Sequence, residues 1–204
     1  TLACEPLAQP DPDGVSAIVM EEIGKSGLSW LPWTKKLRQW QQRCAFLLQF
    51  STPEHPWPDL GDQHLLDTME QWLAPFITGI KSRRELKNMD LQAALTALIP
   101  YHLLAEIDQW APSHFIVPSG SKIPIDYTGS PPVLAVRLQE MFGLTRTPAI
   151  CKGRQPLLLH LLSPAGRPLQ ITSDINGFWE TSYHDVKKDM KGRYPKHYWP
   201  DDPI

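Results

Sequence analysis

Proline sets the outer limit on this fold. Twenty-one prolines are spread through 204 residues. Each one fixes φ and removes a backbone donor, which ends helices and excludes central strand positions. The chain is therefore expected to fold as short elements joined by rigid turns. No apolar run approaches the roughly 18 residues of a membrane-spanning helix, so no membrane partner is expected. Cys4, Cys44 and Cys151 are far apart and form no Cys-x-x-Cys pair. That argues against a zinc site or a disulfide framework and suits a reducing, cytoplasmic setting. The chain opens Thr1-Leu2-Ala3-Cys4, without Met or a signal-peptide pattern. It is expected to be a segment of a longer protein.

Between the prolines, apolar spacing is helical in the first half. Residues 1–13 read as the end of a preceding unit and a linker. Val15–Ile23 is expected to be helical, stopped near Gly24 and Gly27. Thr34 suits an N-cap, and Leu37, Trp40, Cys44, Leu47 and Leu48 follow at helical spacing to about Phe50. Asp62 is placed to cap a stripe of Leu65, Leu66, Met69, Trp72, Leu73, Phe76 and Ile77, which Pro75 kinks or divides. Ser82 and Glu85 have capping-box spacing. Asp90 caps Leu91–Ile99, and Tyr101–Trp110 resumes the pattern. Such stripes are core rather than cofactor contacts.

The character changes at Ala111-Pro112. Phe115–Val117 and Ile123–Tyr127 alternate like strands around a polar turn. Ser130-Pro131-Pro132 has helix-start chemistry, which predicts a helix through Val133, Leu134, Leu138, Met141 and Phe142 to Gly143. Leu157–Leu162 and Leu169–Thr172 form a second hairpin. Ser173 or Asp174 then caps a helix holding Ile175, Phe178, Trp179, Val186 and Met190, which Gly192 stops. The expected fold class is α+β: a helical subdomain over residues 14–110, then a subdomain of two hairpins and two helices over residues 111–204.

Most familiar chemistries fail on spacing. Ser119-Gly120-Ser121-Lys122 lacks the glycine spacing and the strand-to-helix context of a phosphate-binding loop. Seven histidines never pair at metal-ligand spacing, and His160, alternating with leucines, reads as a structural histidine. There is no Gly-x-Ser-x-Gly elbow. Asp201 and Asp202 are adjacent, so in extended chain they point apart and make poor acid/base partners.

Charge and aromatic content leave one candidate. Residues 1–110 carry 9 Lys/Arg against 14 Asp/Glu, whereas residues 111–204 carry 11 against 8. The second half therefore suits a polyanion better. Lys187, Lys188, Lys191, Arg193 and Lys196 gather near its end, interleaved with Tyr194, His197, Tyr198 and Trp199. Cations that track phosphates beside rings that stack on bases are the elements of a single-stranded nucleic-acid site. Arg167, Arg154 and Lys122 are candidates to extend it. The same residues also suit a structural role. Cations favour a helix C-terminus, and Trp199 is expected to pin the tail to the core. The sequence leaves both open, as it does a protein-docking role for some of the eight tryptophans.

Longer motifs add a resemblance. Leu159-His160-Leu161-Leu162-Ser163-Pro164-Ala165-Gly166-Arg167-Pro168-Leu169-Gln170-Ile171-Thr172, followed by Asp174, Gly177-Phe178-Trp179 and Tyr183, resembles the C-terminal region of HrpB-type proteins. So do Gly192-Arg193-Tyr194-Pro195-Lys196-His197, Trp199-Pro200-Asp201-Asp202-Pro203, Val117-Pro118-Ser119-Gly120-Ser121, Asp126-Tyr127, and Pro132 through Gly143. Leu31-Pro32-Trp33-Thr34 and Trp72-Leu73-Ala74-Pro75 extend it into the helical half. That family comprises bacterial DEAH/RHA-type ATP-dependent RNA helicases. The resemblance implies a C-terminal accessory extension. The motor domains, with their ATP and Mg2+, would precede it in the same parent chain and be its intramolecular partners. RNA or other single-stranded nucleic acid is the implied ligand, with a protein partner as the alternative. No catalytic residue is carried over, and no cofactor is expected in this chain. Lys35-Lys36 departs from the family pattern, which changes charge rather than fold.

Overall fold

The computed structural model describes residues 12–80 and 82–204, with side chains from Ser16 onward. The expected end of a preceding unit at residues 1–13 lies almost wholly outside these residues, as does Cys4. The chain divides into two compact units between Leu104 and Ala105.

The first unit is built from short helices. α1 spans Pro12–Ser26 and is followed by Gly27, whose φ of 77° is one that glycine adopts without strain. α2 spans Lys35–Leu47 and continues as a 3-10 turn to Phe50. The Thr34 hydroxyl accepts from the Leu37 amide at 3.1 Å, the cap its sequence position predicts. Lys35 and Lys36 are exposed in the first turn of α2, so they change surface charge and leave packing alone. The stripe from Leu65 to Ile77 is divided into α3 (Asp62–Asp67), α4 (Met69–Trp72) and α5 (Ala74–Ile77), with Pro75 in the first turn of α5. The break costs little because Leu65, Trp72, Leu73 and Ile77 are all buried and the Trp72 indole donates to the Leu65 carbonyl at 2.9 Å. Gly61, not Asp62, is the N-cap of α3; Asp62 instead meets Arg38 and Gln41 of α2.

α6 (Arg83–Lys87) and α7 (Leu91–Thr96) start on side-chain caps that the sequence announced. Ser82 accepts from the Glu85 amide at 3.2 Å and Asp90 from the Ala93 amide at 2.9 Å. α8 (Tyr101–Leu104) closes the unit. The expected single helix to Trp110 is interrupted, and α9 (Ile107–Trp110) belongs to the second unit.

The second unit carries the sheet. Its strands are β1 (His114–Ile116), β2 (Lys122–Asp126), β3 (Val133–Arg137), β4 (Ala149–Ile150), β5 (Gln155–Pro156), β6 (Leu158–Leu162) and β7 (Pro168–Thr172). Five form one sheet in the order β1-β2-β3-β6-β7, while β4 and β5 form a separate hairpin. The β3–β6 pair is parallel and the others are antiparallel.

β3 corrects the sequence reading, which placed a helix from Ser130 to Gly143. Leu134 and Val136 are buried while Ala135 and Arg137 are exposed, a period of two. Five residues of β3 register on β6, from Val133 against Leu158 to Arg137 against Leu162. A 3-10 turn over Leu138–Met141 supplies the spacing that resembled a helix. Two helices follow the sheet. α10 (Ile175–Thr181) starts on Asp174, whose carboxylate accepts from the Gly177 amide at 3.0 Å. α11 (Tyr183–Arg193) follows directly, so the expected last helix breaks at Ser182. Gly192 lies inside α11 rather than stopping it. Leu134, Val136, Leu159, Leu161, Ile175, Phe178, Trp179 and Tyr183 are core residues of this unit.

Candidate nucleic-acid interface

The chain after α11 is held through its backbone carbonyls. Tyr183 is buried, and its hydroxyl donates to the Pro200 carbonyl at 2.9 Å. The Gly143 amide donates to the Pro203 carbonyl at 2.7 Å. Trp199 is buried and its indole donates to the Tyr194 carbonyl at 3.1 Å. The Phe142 ring lies 6.0 Å from Trp179, 5.9 Å from Tyr183 and 6.3 Å from Tyr198. Burial, with Asp201 and Tyr198 nearby, pushes the Tyr183 phenol up to about 12. The tail is thus a fixed strap, and Trp199 has the structural role expected of it.

Pinning the strap leaves other side chains outward. Tyr198 is 74% exposed, and Tyr194 is half-buried with its ring 5.9 Å from His197, edge to face. Lys188, Lys191 and Lys196 are exposed, and among the described residues no ion pair engages them. Arg193 is exposed but pairs with Asp189 at 3.0 Å, one turn back. Lys187 is different: its side chain is only 14% exposed and its ammonium donates to Asp201. Asp201 is held below the usual carboxylate range, first by its hydrogen bond to the Lys187 ammonium and that group's charge, then by Lys191 and His184.

The remaining candidates sit on other elements. Lys122 begins β2, and β3 runs antiparallel to it, ending at Arg137. β6 runs parallel to β3, so the turn holding Arg167 lies at that same sheet end. Lys122, Arg137 and Arg167 are all exposed there. Arg154 lies in the β4–β5 turn, 5.5 Å over the Trp110 ring. Lys152 lies 4.6 Å over the same ring and 3.7 Å from Glu106. The structure therefore sorts the candidates into α11 with its strap, one sheet end, and one hairpin turn. Among the described residues, no group of three or more His, Cys, Asp or Glu is placed to hold a metal ion. No described helix is long and apolar enough to cross a membrane.

A family model described as ATP-dependent helicase C-terminal, of HrpB type, matches residues 72–203. The chain belongs to the HrpB helicase C-terminal family. It is 46% identical over all 204 residues to the ATP-dependent RNA helicase HrpB of Escherichia coli K12. A crystal structure of the E. coli DExH-box NTPase HrpB matches with a TM-score of 0.82 at 46% identity, covering 98% of this chain. A second, of the E. coli DEAH/RHA helicase HrpB, matches with a TM-score of 0.72 at 44% identity and the same coverage. This chain spans 25% of the length of each of these HrpB proteins.

Three further residues stand at the candidate surface: His184, Arg137 and Asp201. His184 lies on α11 three residues before Lys187, a spacing that was visible. Arg137 lies in a segment with helical spacing, and only the β2–β3 pairing brings it to the sheet end of Lys122. Asp201 neighbours Asp202 in the chain, but its partner in the fold is Lys187, 14 residues away.

Proposed function

We propose that this chain is the C-terminal accessory part of an ATP-dependent RNA helicase and that it contacts single-stranded nucleic acid through α11 and its strap. The observation that carries this reading is the strap itself. It is fixed by Tyr183 and Gly143 yet leaves His197 and Tyr198 exposed and Tyr194 half-buried, and it carries exposed Lys196 and follows exposed Lys188 and Lys191 of α11. Rings held rigidly lose little conformational freedom when a base stacks on them. Lys122, Arg137 and Arg167 at the sheet end, and Arg154, offer further phosphate contacts. ATP with Mg2+ would act in the preceding motor domains of the parent protein, in the cytoplasm, with this chain guiding the strand. Photo-crosslinking with a 4-thiouridine oligonucleotide tests the placement. Crosslinks to Tyr194, His197 or Tyr198 support it; crosslinks confined to residues 12–104 contradict it.

One observation favours a second reading, a protein-docking or bracing role. A groove of about 580 Å³ in the first unit is lined by Ala93, Thr96, Ala97, Ile99 and Leu104, beside Tyr101 at 90% exposure. Tyr101→Ala would then weaken association with the motor domains or a partner protein and leave nucleic-acid affinity unchanged.

A further inference from the structure

α11 sorts its ionisable residues by face. His184, Lys187, Lys188 and Lys191 recur at the i, i+3, i+4, i+7 spacing that places side chains on one side of a helix. Asp185 and Asp189 fall outside that set, and Asp189 pairs with Arg193 at 3.0 Å. This single-sign face meets its acid from the strap, where Asp201 accepts from the Lys187 ammonium. Lys191 and His184 also act on that carboxylate electrostatically.

The strap does not depend on this contact. Pro200 and Pro203, on either side, are anchored by Tyr183 at 2.9 Å and Gly143 at 2.7 Å, and Trp199 is buried. Asp201 between these anchors is fully exposed. Lys187 is mostly covered, but the carboxylate side of the pair is open to solvent, where ion pairing adds little to stability, so a competing anion reaches the ammonium by taking the carboxylate's place. Ammonium groups donate to carboxylate and phosphate oxygens alike.

We propose that His184, Lys187 and Lys191 form a phosphate subsite for single-stranded nucleic acid, and that the Asp201 carboxylate is its internal occupant, displaced when a backbone phosphate enters. The subsite rests on the nucleic-acid reading above and names one contact within it. Asp201 lowers the affinity of the resting protein and keeps Lys187 partnered when no strand is bound. Asp202 has no contact with Lys187 among the described residues and supplies a control of equal charge.

The test measures binding of a labelled 20-nucleotide oligouridylate to the 204-residue chain across a KCl series. Asp201→Asn is expected to tighten binding by about threefold or more and to steepen the salt slope by ~0.7, the increment of one added phosphate contact on a single strand. Asp202→Asn is expected to match the parent within about twofold. The Asp201→Asn gain is expected to vanish in a Lys187→Gln background, which separates phosphate capture from loosening of the strap. Equal effects of the two Asn variants, or a gain that survives Lys187→Gln, overturn the subsite. If Lys188→Ala and Lys191→Ala still weaken binding in that case, the nucleic-acid reading stands without it. If no form binds oligouridylate at low salt, both fall. If Asp201→Asn strengthens binding of an oligoglutamate peptide alone, the ligand is an acidic protein segment and the phosphate assignment is wrong.

Discussion

The Tyr183 hydroxyl donates to the Pro200 carbonyl at 2.9 Å, which ties the start of α11 to the strap 17 residues later. Tyr183→Phe keeps the ring packing against Phe142 and Trp179 and removes only this bond. A net loss of about 1 kcal/mol is expected, or roughly 2–4 °C in Tm for a chain of this size. Hydrogen exchange should quicken in residues 194–204 and stay unchanged in α10. Equal protection in both proteins would show that the strap is held by other means.

Two buried groups set an alkaline limit. Burial pushes the Cys151 thiol from 9.0 up to about 12, against a smaller opposing effect of Arg154, and the Tyr183 phenol from 10.0 up to about 12. Both are neutral in the folded chain. Their folded pKa values lie above the unfolded ones, so the unfolded chain ionises first as pH rises. Stability from these groups is complete below about pH 9 and is lost progressively toward pH 12. Thermal melts between pH 8 and 11 should fall less steeply for Cys151→Ala and for Tyr183→Phe than for the parent. Parallel curves would contradict this.

The start of α10 depends on one carboxylate. Asp174 accepts from the Gly177 amide at 3.0 Å, and a Cβ on residue 177 would come within 2.3 Å of the other Asp174 oxygen. Asp174→Ala should cost about 1 kcal/mol. Gly177→Ala should destabilise by displacing the cap, and much less when Asp174 is already Ala. Additive losses in urea unfolding would refute that coupling.

The sheet has a core face and an open face. Leu159 of β6 is fully buried, whereas Ile171 of β7 is 56% exposed. Leu159→Ala should cost about 2–5 kcal/mol and Ile171→Ala within roughly 0.5 kcal/mol. Comparable losses, measured by chemical denaturation, would reverse the assignment of faces.

What the sequence revealed follows from how far each interaction reaches. Thr34, Ser82, Asp90 and Asp174 were readable as caps because an N-cap bond spans three residues. β3 was not, because Ser130-Pro131-Pro132 carries helix-start chemistry and the Leu134, Leu138, Met141 spacing fits a helical turn. What decides its state is pairing with Leu158–Leu162, residues distant in the chain. The aromatic content of the strap was legible, and so was the burial of Trp199. The partner of Lys187 was not, since an exposed Lys reads as solvated until the fold brings Asp201 to it. Arg137 stayed hidden for the same reason as β3.

Salt dependence of RNA binding tests the central claim most directly. The parent chain should bind a 20-nucleotide oligouridylate at low salt and lose affinity as KCl rises, with a slope of ~0.7 per phosphate contact. Lys188→Ala/Lys191→Ala/Lys196→Ala should bind at least about tenfold more weakly and shed about two units of that slope. No binding at low salt, or a triple variant with the parent's affinity and slope, would contradict the assignment of α11 and its strap as a nucleic-acid contact.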